Sequence, residues 1–213
     1  MKPKFLLSSI IFLSIAITSK AQISSGKIFL GGSVSYNSST NPDTHAFYSN
    51  IQLGKVVKNN SVLGVLFNYS SNNYNYSLSF KNKTRTTGGG VFYRKYKPLG
   101  KNFYAFGEIN AAYSHTNNDM AYFNPTSQYL VSKADQGSLY LIPGISYSVC
   151  KNMQIELSMP NIAYISYQHM STIDKYLPPS VSPQKRNTFN ANASLNNNLL
   201  SNFGIGFKFF LGS

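Results

Sequence analysis

Few residues in this chain are equipped for chemistry, so their spacing matters. The 213 residues include only six acidic side chains against nineteen basic ones. Arg94 and Glu108 flank the turn-forming stretch Pro98 to Asn102, which lets them pair across a hairpin. Glu156 and Lys208 lie in two later segments of the same character. Charges placed inside a fold need partners, because an isolated buried ion costs several kcal/mol. The four therefore suggest either a structural ion-pair network or a path for ions or protons. His169-Met170-Ser171 suggests nucleophilic catalysis instead, but a triad also needs an acid to orient the histidine. Glu156 lies upstream and Asp174 is poorly spaced. His45, His115 and His169 raise a metal site, yet no two share ligand spacing and no Cys accompanies them. Gly88-Gly89-Gly90 is followed by neither a helix signal nor a Lys-Ser/Thr pair, so it is no phosphate loop; it fits sharp strand curvature or close packing. No metal or other cofactor is implied.

The elements that hold these residues read as strands. Alternation with a period of two recurs from end to end. In Asn202 to Leu211, Phe203, Ile205, Phe207, Phe209 and Leu211 make one apolar face. Asn202, Gly204, Gly206 and Lys208 lie on the other. Comparable segments are Ile28 to Tyr36, Phe47 to Val57, Val62 to Ser70, Thr87 to Lys97, Phe103 to Ser114, Ser138 to Val149 and Gln154 to Tyr167. In this register Arg94, Glu108, Glu156 and Lys208 all point away from the apolar face. Pro143 and Pro160 interrupt two segments and mark expected bulges.

The connections are sorted by length. Lys58-Asn59-Asn60, Pro98 to Asn102 and Lys151-Asn152 are tight turns. Polar stretches 37–46, 71–86, 115–137 and 168–201 are long. Short and long alternate, as in membrane barrels with short periplasmic turns and longer outer loops. A soluble sandwich also alternates its faces, but it seldom gathers its short turns at one end.

The first residues point to export. Lys2 and Lys4 precede an apolar stretch from Phe5 to Thr18, and Ser19-Lys20-Ala21 supplies small residues for cleavage. That layout is a secretory signal peptide over residues 1–21, leaving 192 residues, 22–213, as one domain. Loss of Lys2, Lys4 and Lys20 lowers the formal charge from +13 to +10. Export argues against nucleic acid as the basic partner and favours anionic lipid. With one Cys, Cys150, the chain can form no internal disulfide. No later segment reaches eighteen consecutive apolar residues, which leaves the closed barrel as the way into a bilayer. The expected fold is all-β: an eight-stranded antiparallel transmembrane β-barrel of up-and-down topology, in the outer membrane, with both termini periplasmic.

Asn50-Ile51-Gln52-Leu53-Gly54, Val62-Leu63-Gly64-Val65, Val91-Phe92-Tyr93-Arg94-Lys95-Tyr96 and Pro98-Leu99-Gly100-Lys101 together resemble a family of small outer-membrane β-barrels of Bacteroidota, called porin-like or PorT-like. Phe106-Gly107-Glu108, Ile142-Pro143-Gly144-Ile145-Ser146-Tyr147 and Phe203-Gly204-Ile205-Gly206-Phe207 extend the likeness. The resemblance implies architecture and is silent on chemistry. The aromatic end of the last strand is similar to the signal read by barrel-insertion machinery, although Leu211-Gly212-Ser213 follow Phe210. His169-x-Ser171 is similar to the motif of outer-membrane lipid A deacylases, but those enzymes place a Glu downstream, and none follows here.

Two basic groups complete the reading. Lys55, Lys58, Lys95, Lys97, Lys101 and Lys151 gather at the short-turn end, where long side chains reach phosphate headgroups; solvated turns explain them equally. Lys81, Lys83, Arg85, Lys185 and Arg186 fall in the long stretches, within reach of lipopolysaccharide. The expected role is non-enzymatic, structural or surface-interacting through long outer loops, with a lumen filled by side chains. A narrow gated channel and a lipid A-modifying enzyme stand as alternatives.

Overall fold

The computed structural model describes residues 23–40, 43–77, 80–122, 128–159, 162–175, 182–193 and 204–212. The expected signal peptide, Pro160, Asn202 and Phe203 lie outside the described residues. The strands are β1 (Ile28–Thr40), β2 (Asp43–Lys58), β3 (Ser61–Ser77), β4 (Phe80–Gly100), β5 (Phe103–Tyr122), β6 (Gln128–Cys150), β7 (Met153–Ser158), β8 (Ala163–Asp174), β9 (Gln184–Ala193) and β10 (Gly204–Leu211). Each of β1 to β5 pairs antiparallel with the next. β6 then pairs with β7, β7 with β10, and β10 with β1, which closes a ring of eight strands. β8 continues the seventh crossing alongside β6, and β9 pairs with β8.

The division between β7 and β8 has a local cause. Ser158 faces Gly144 and Ala163 faces Leu141, so Ile142 and Pro143 fall where the pairing passes from β7 to β8. Pro143 has no N–H for the ladder. Its carbonyl accepts instead from Met159 N at 2.9 Å, and the strand bulges there. Tight turns close the opposite end. Asn60 and Lys101 adopt left-handed φ values of 63° and 48°, and Gly100 a φ of 124°.

The outward face is apolar. Ile28, Leu53, Leu63, Val91, Ile109, Ile145, Ile165 and Phe207 are all exposed. A soluble protein would bury such a belt; in a barrel it meets acyl chains. The stretches expected as long outer loops are largely strand. β4, β5 and β6 run for 21, 20 and 23 residues. A crossing needs only about 9–11 residues. These strands therefore leave the apolar belt and continue as polar hairpins, their pairing unbroken from Phe80↔Tyr122 downward. β4, β5 and β6 stay paired on both sides in this outer part, which is a polar continuation of the sheet. Beyond the membrane neither face must be apolar, so the hydropathy signal fades while the pairing persists.

Gly88-Gly89-Gly90 lies within β4. A Cβ on Gly90 would strike the Ala111 carbonyl and Ala112 Cα, so β4 and β5 approach more closely than side chains permit. Close packing is the role of Gly88 and Gly90 in this run.

Candidate functional site

Inward positions divide the lumen into two halves. At the short-turn half Phe29, Phe92, Tyr96, Tyr104, Phe106 and Phe210 are buried together. Phe29 stands edge-on to Phe210 at 5.5 Å, and Tyr96 packs on Phe106 at 5.8 Å. Sequence patterning assigns this face small and polar residues. The aromatic plug is nonetheless readable, because each of these rings falls on the inward parity of its strand.

A ring of polar bonds lies on the plug. Arg94 Nε donates to Glu108 Oε2 at 2.6 Å, and Arg94 Nη1 to Glu156 Oε1 at 2.5 Å. Tyr96 accepts from Arg94 Nη1 and donates to Glu156 Oε1, both at 3.0 Å. Gln52 Nε2 donates to Glu108 Oε1 at 2.9 Å, and Gln52 Oε1 accepts from Lys208 Nζ at 2.8 Å. Lys208 Nζ closes the circuit 3.8 Å from Glu156 Oε2. The guanidinium carbon of Arg94 sits 4.4 Å from the Phe106 ring centre and 5.2 Å from that of Phe29. Cation–π attraction thus replaces part of the hydration that burial removes. Two cations and two anions cancel. All four expected lumen charges meet, and the register of β10 against β7 that brings Lys208 in is Lys208↔Gln154. Gln52 and Tyr96 join them without any charge to mark them in the sequence.

Beyond the ring the lumen is not filled. A cavity of about 460 Å³ opens there, lined among others by Tyr48, Asn50, Asn68, Asn110 and Tyr140. The expectation of a side-chain-filled lumen holds for the short-turn half only. An eight-stranded ring is just wide enough for side chains to fill; here large ones occupy one level and Gly, Ser, Thr and Asn the next.

On the outward face, His115, Asp135, His169 and Asn187 form one register row across β5, β6, β8 and β9. Asp135 Oδ1 accepts from the Tyr113 hydroxyl at 2.5 Å and lies 2.8 Å from His115 Nδ1. The row stands above the apolar belt. The Tyr113 hydrogen bond, helped by the one to His115, holds the Asp135 carboxyl below its usual range. His169 Nδ1 lies 2.7 Å from Asn187 Oδ1. His169 and Ser171 share the outward parity, as expected, but Asp135, the acid nearest in register, is committed to Tyr113 and His115. His45 lies elsewhere, 3.1 Å from Asp43. Among the described residues no three His, Cys, Asp or Glu side chains are placed to hold a metal.

Lys55, Lys58, Lys95, Lys97, Lys101 and Lys151 are exposed at the short-turn end. Lys81, Lys83 and Arg85 stand on β4, and Lys185 and Arg186 on β9, rather than in loops. Arg85, Asn117, Lys133, Ser171 and Lys185 form one outward row across five neighbouring strands. Lys133 joins these cations through register alone.

Closure, an apolar exterior and a polar, partly plugged interior define a transmembrane β-barrel of eight strands. No family model and no curated protein matches the chain. Among solved structures it is similar to a major outer membrane protein from Thermus thermophilus, at 10% identity and a TM-score of 0.47, covering 87% of this chain and 99% of that one. The fold assignment rests on the chain's own strand pairing.

Proposed function

We propose that this chain is a non-conducting, non-enzymatic outer-membrane barrel that acts at the cell surface through its outer hairpins. One observation carries this reading: a closed ring of ion pairs on an aromatic plug blocks the lumen, while β4, β5 and β6 extend far beyond the apolar belt. Short turns at one end and long hairpins at the other fit both termini in the periplasm. The likeness to small barrels of Bacteroidota belongs to this proposal, as does the secretory leader. So does recognition by barrel-insertion machinery, for which β10 offers outward Phe207, Phe209 and Leu211.

The partners follow from charge. The row Arg85, Lys133 and Lys185, with Asn117 and Ser171 between, suits lipopolysaccharide phosphates just above the belt. The lysines of the short-turn end suit inner-leaflet headgroups. A gated channel would need the Arg94 ring to part, and a lipid A-modifying enzyme would need an acid on His169. Planar-bilayer recording of the refolded protein tests the reading, with a shift between unboiled and boiled gel bands as the control for insertion. Inserted barrels without unitary conductance are expected. Discrete conducting steps from the parent protein would overturn the proposal.

A further inference from the structure

The cavity above the Arg94 ring has the chemistry of a binding site. Its volume of about 460 Å³ lies within the roughly 300–1,000 Å³ of small-molecule sites. The charges at its floor are mutually compensated, so it offers no net charge to an ion. Its walls combine amides and hydroxyls with the apolar Leu66, Ala112, Ile142 and Ile205. Asn50 Nδ2 donates to Asn68 Oδ1 at 2.5 Å, and the Thr86 and Thr116 hydroxyls share a hydrogen bond of 2.9 Å. Each amide carries two donor hydrogens and an oxygen with two lone pairs, so these bonds leave capacity for a ligand.

A second observation points to a missing partner. Asn110, the inward residue next above Glu108, is 7% exposed and lines the cavity. Its Oδ1 has no hydrogen-bond partner within the chain. A buried carbonyl left without a donor is unfavourable, and turning the amide toward the cavity would let a ligand hydroxyl satisfy it. Tyr48 on β2 and Tyr140 on β6 line the cavity from opposite sides of the ring, and aromatic rings suit the C–H face of a sugar.

Among the described residues the wall is also interrupted. The pairing of β1 with β10 stops at Gly32↔Phe207, although Gly204 to Gly206 continue to pair with β7. Among the described residues, Ser33–Thr40 pair only with β2, and β9 only with β8. The four most exposed large apolar side chains, Val34 and Ile205 at 71%, Phe189 at 68% and Tyr36 at 63%, all flank this seam. Gly32, Ser33, Gly204, Ile205 and Gly206 belong at once to the seam and to the cavity lining.

We infer that the outer half of the lumen binds a neutral, hydroxyl-rich glycosyl group, with Asn110, Asn68 and Asn50 as its recognition residues. The group arrives either as a free sugar from outside or as the head of a glycolipid whose tail stays in the bilayer across the seam. The inference rests on the barrel orientation proposed above but not on the surface-interaction role.

Calorimetric titration of the refolded full barrel in lauryldimethylamine oxide micelles tests it. Glucose, N-acetylglucosamine and maltose serve as free probes, and decyl maltoside below its micellar concentration as the lipid-like one. Saturable binding of at least one probe is expected, weakened about tenfold or more by Asn110→Leu. Asn68→Ala is the second variant, should Asn110→Leu fail to give the heat-shifted folded band. A Ser33→Cys, Gly206→Cys crosslink in a Cys150→Ser background separates the sources. Loss of decyl maltoside binding alone assigns entry through the seam; retention of both probe types assigns entry from outside, and both outcomes support the site. A parent barrel that shows the folded band and binds none of the four probes overturns the inference, whereas absence of that band would count against the transmembrane barrel on which the proposed function rests.

Discussion

Arg94 and Glu108 are register partners on β4 and β5, and Arg94 Nε lies 2.6 Å from Glu108 Oε2 inside the lumen. Glu108 is 1% exposed and Arg94 3%. The Arg94 guanidinium also holds Glu156 from the far side of the barrel. One arginine thereby ties the fourth crossing to the fifth and the seventh, and the ring is a cross-brace as well as a plug.

Removing one partner of a buried pair typically costs about 3–5 kcal/mol, because the other charge is left uncompensated. Glu108→Gln should therefore lower the urea midpoint of the barrel in detergent or liposomes. Arg94→Met combined with Glu108→Leu should recover much of the loss, since Lys208 and Glu156 remain as a balanced pair. Equal stability for Glu108→Gln and the parent would show that the ring is solvated.

The plug makes a conductance prediction. Tyr96 bridges Arg94 and Glu156 and packs against Phe106 and Phe210. Replacing Tyr96, Phe106 and Phe210 together by Ala should give unitary currents in planar bilayers where the parent gives none. A triple variant that inserts and stays silent would place the barrier elsewhere.

Glycine positions in β4 and β6 should respond in opposite ways. At Gly90 a Cβ meets backbone atoms of Ala111 and Ala112, which cannot rotate aside. Gly90→Ala should cost about 1–3 kcal/mol, the range for overpacking, and reduce the folded band on refolding. Gly137 has nothing within 4 Å of its Cβ position, so Gly137→Ala should refold like the parent.

Asp135 gives the outer hairpins an acid-sensitive contact. Its folded carboxyl lies below the usual Asp range because Tyr113 and His115 hydrogen-bond to it. A depressed carboxyl contributes stability above its unfolded pKa and loses that contribution as pH falls through the folded one. The contact should therefore persist at pH 5 and weaken only below the ordinary Asp range, around pH 4. Carboxyl chemical shifts recorded against pH would show the late titration, and Asp135→Asn would abolish it. Titration of Asp135 at the ordinary Asp value would mean that the contact does not persist in solution.

Much of this architecture is legible in one dimension. Side chains of a strand alternate between faces, so the inward placement of Arg94, Glu108, Glu156 and Lys208 follows from parity alone. Tight turns carry Asn, Gly and Pro for conformational reasons, so three of the connections are also readable, as is the break at Pro143. Parity does not give height along the barrel or the partner across it. Glu156 joins Arg94 only because ring closure sets the seventh crossing across the lumen from the fourth. Gln52 and Tyr96 enter the circuit for the same reason, and the outward row Arg85, Lys133 and Lys185 emerges only once four registers are fixed. Polar hairpins beyond the belt are invisible to hydropathy, because pairing there is held by backbone hydrogen bonds and needs no apolar face. The cavity and the end of β1–β10 pairing at Gly32↔Phe207 are likewise tertiary. Each depends on which small inward residues fall at one level, and on where the last strand parts from the first.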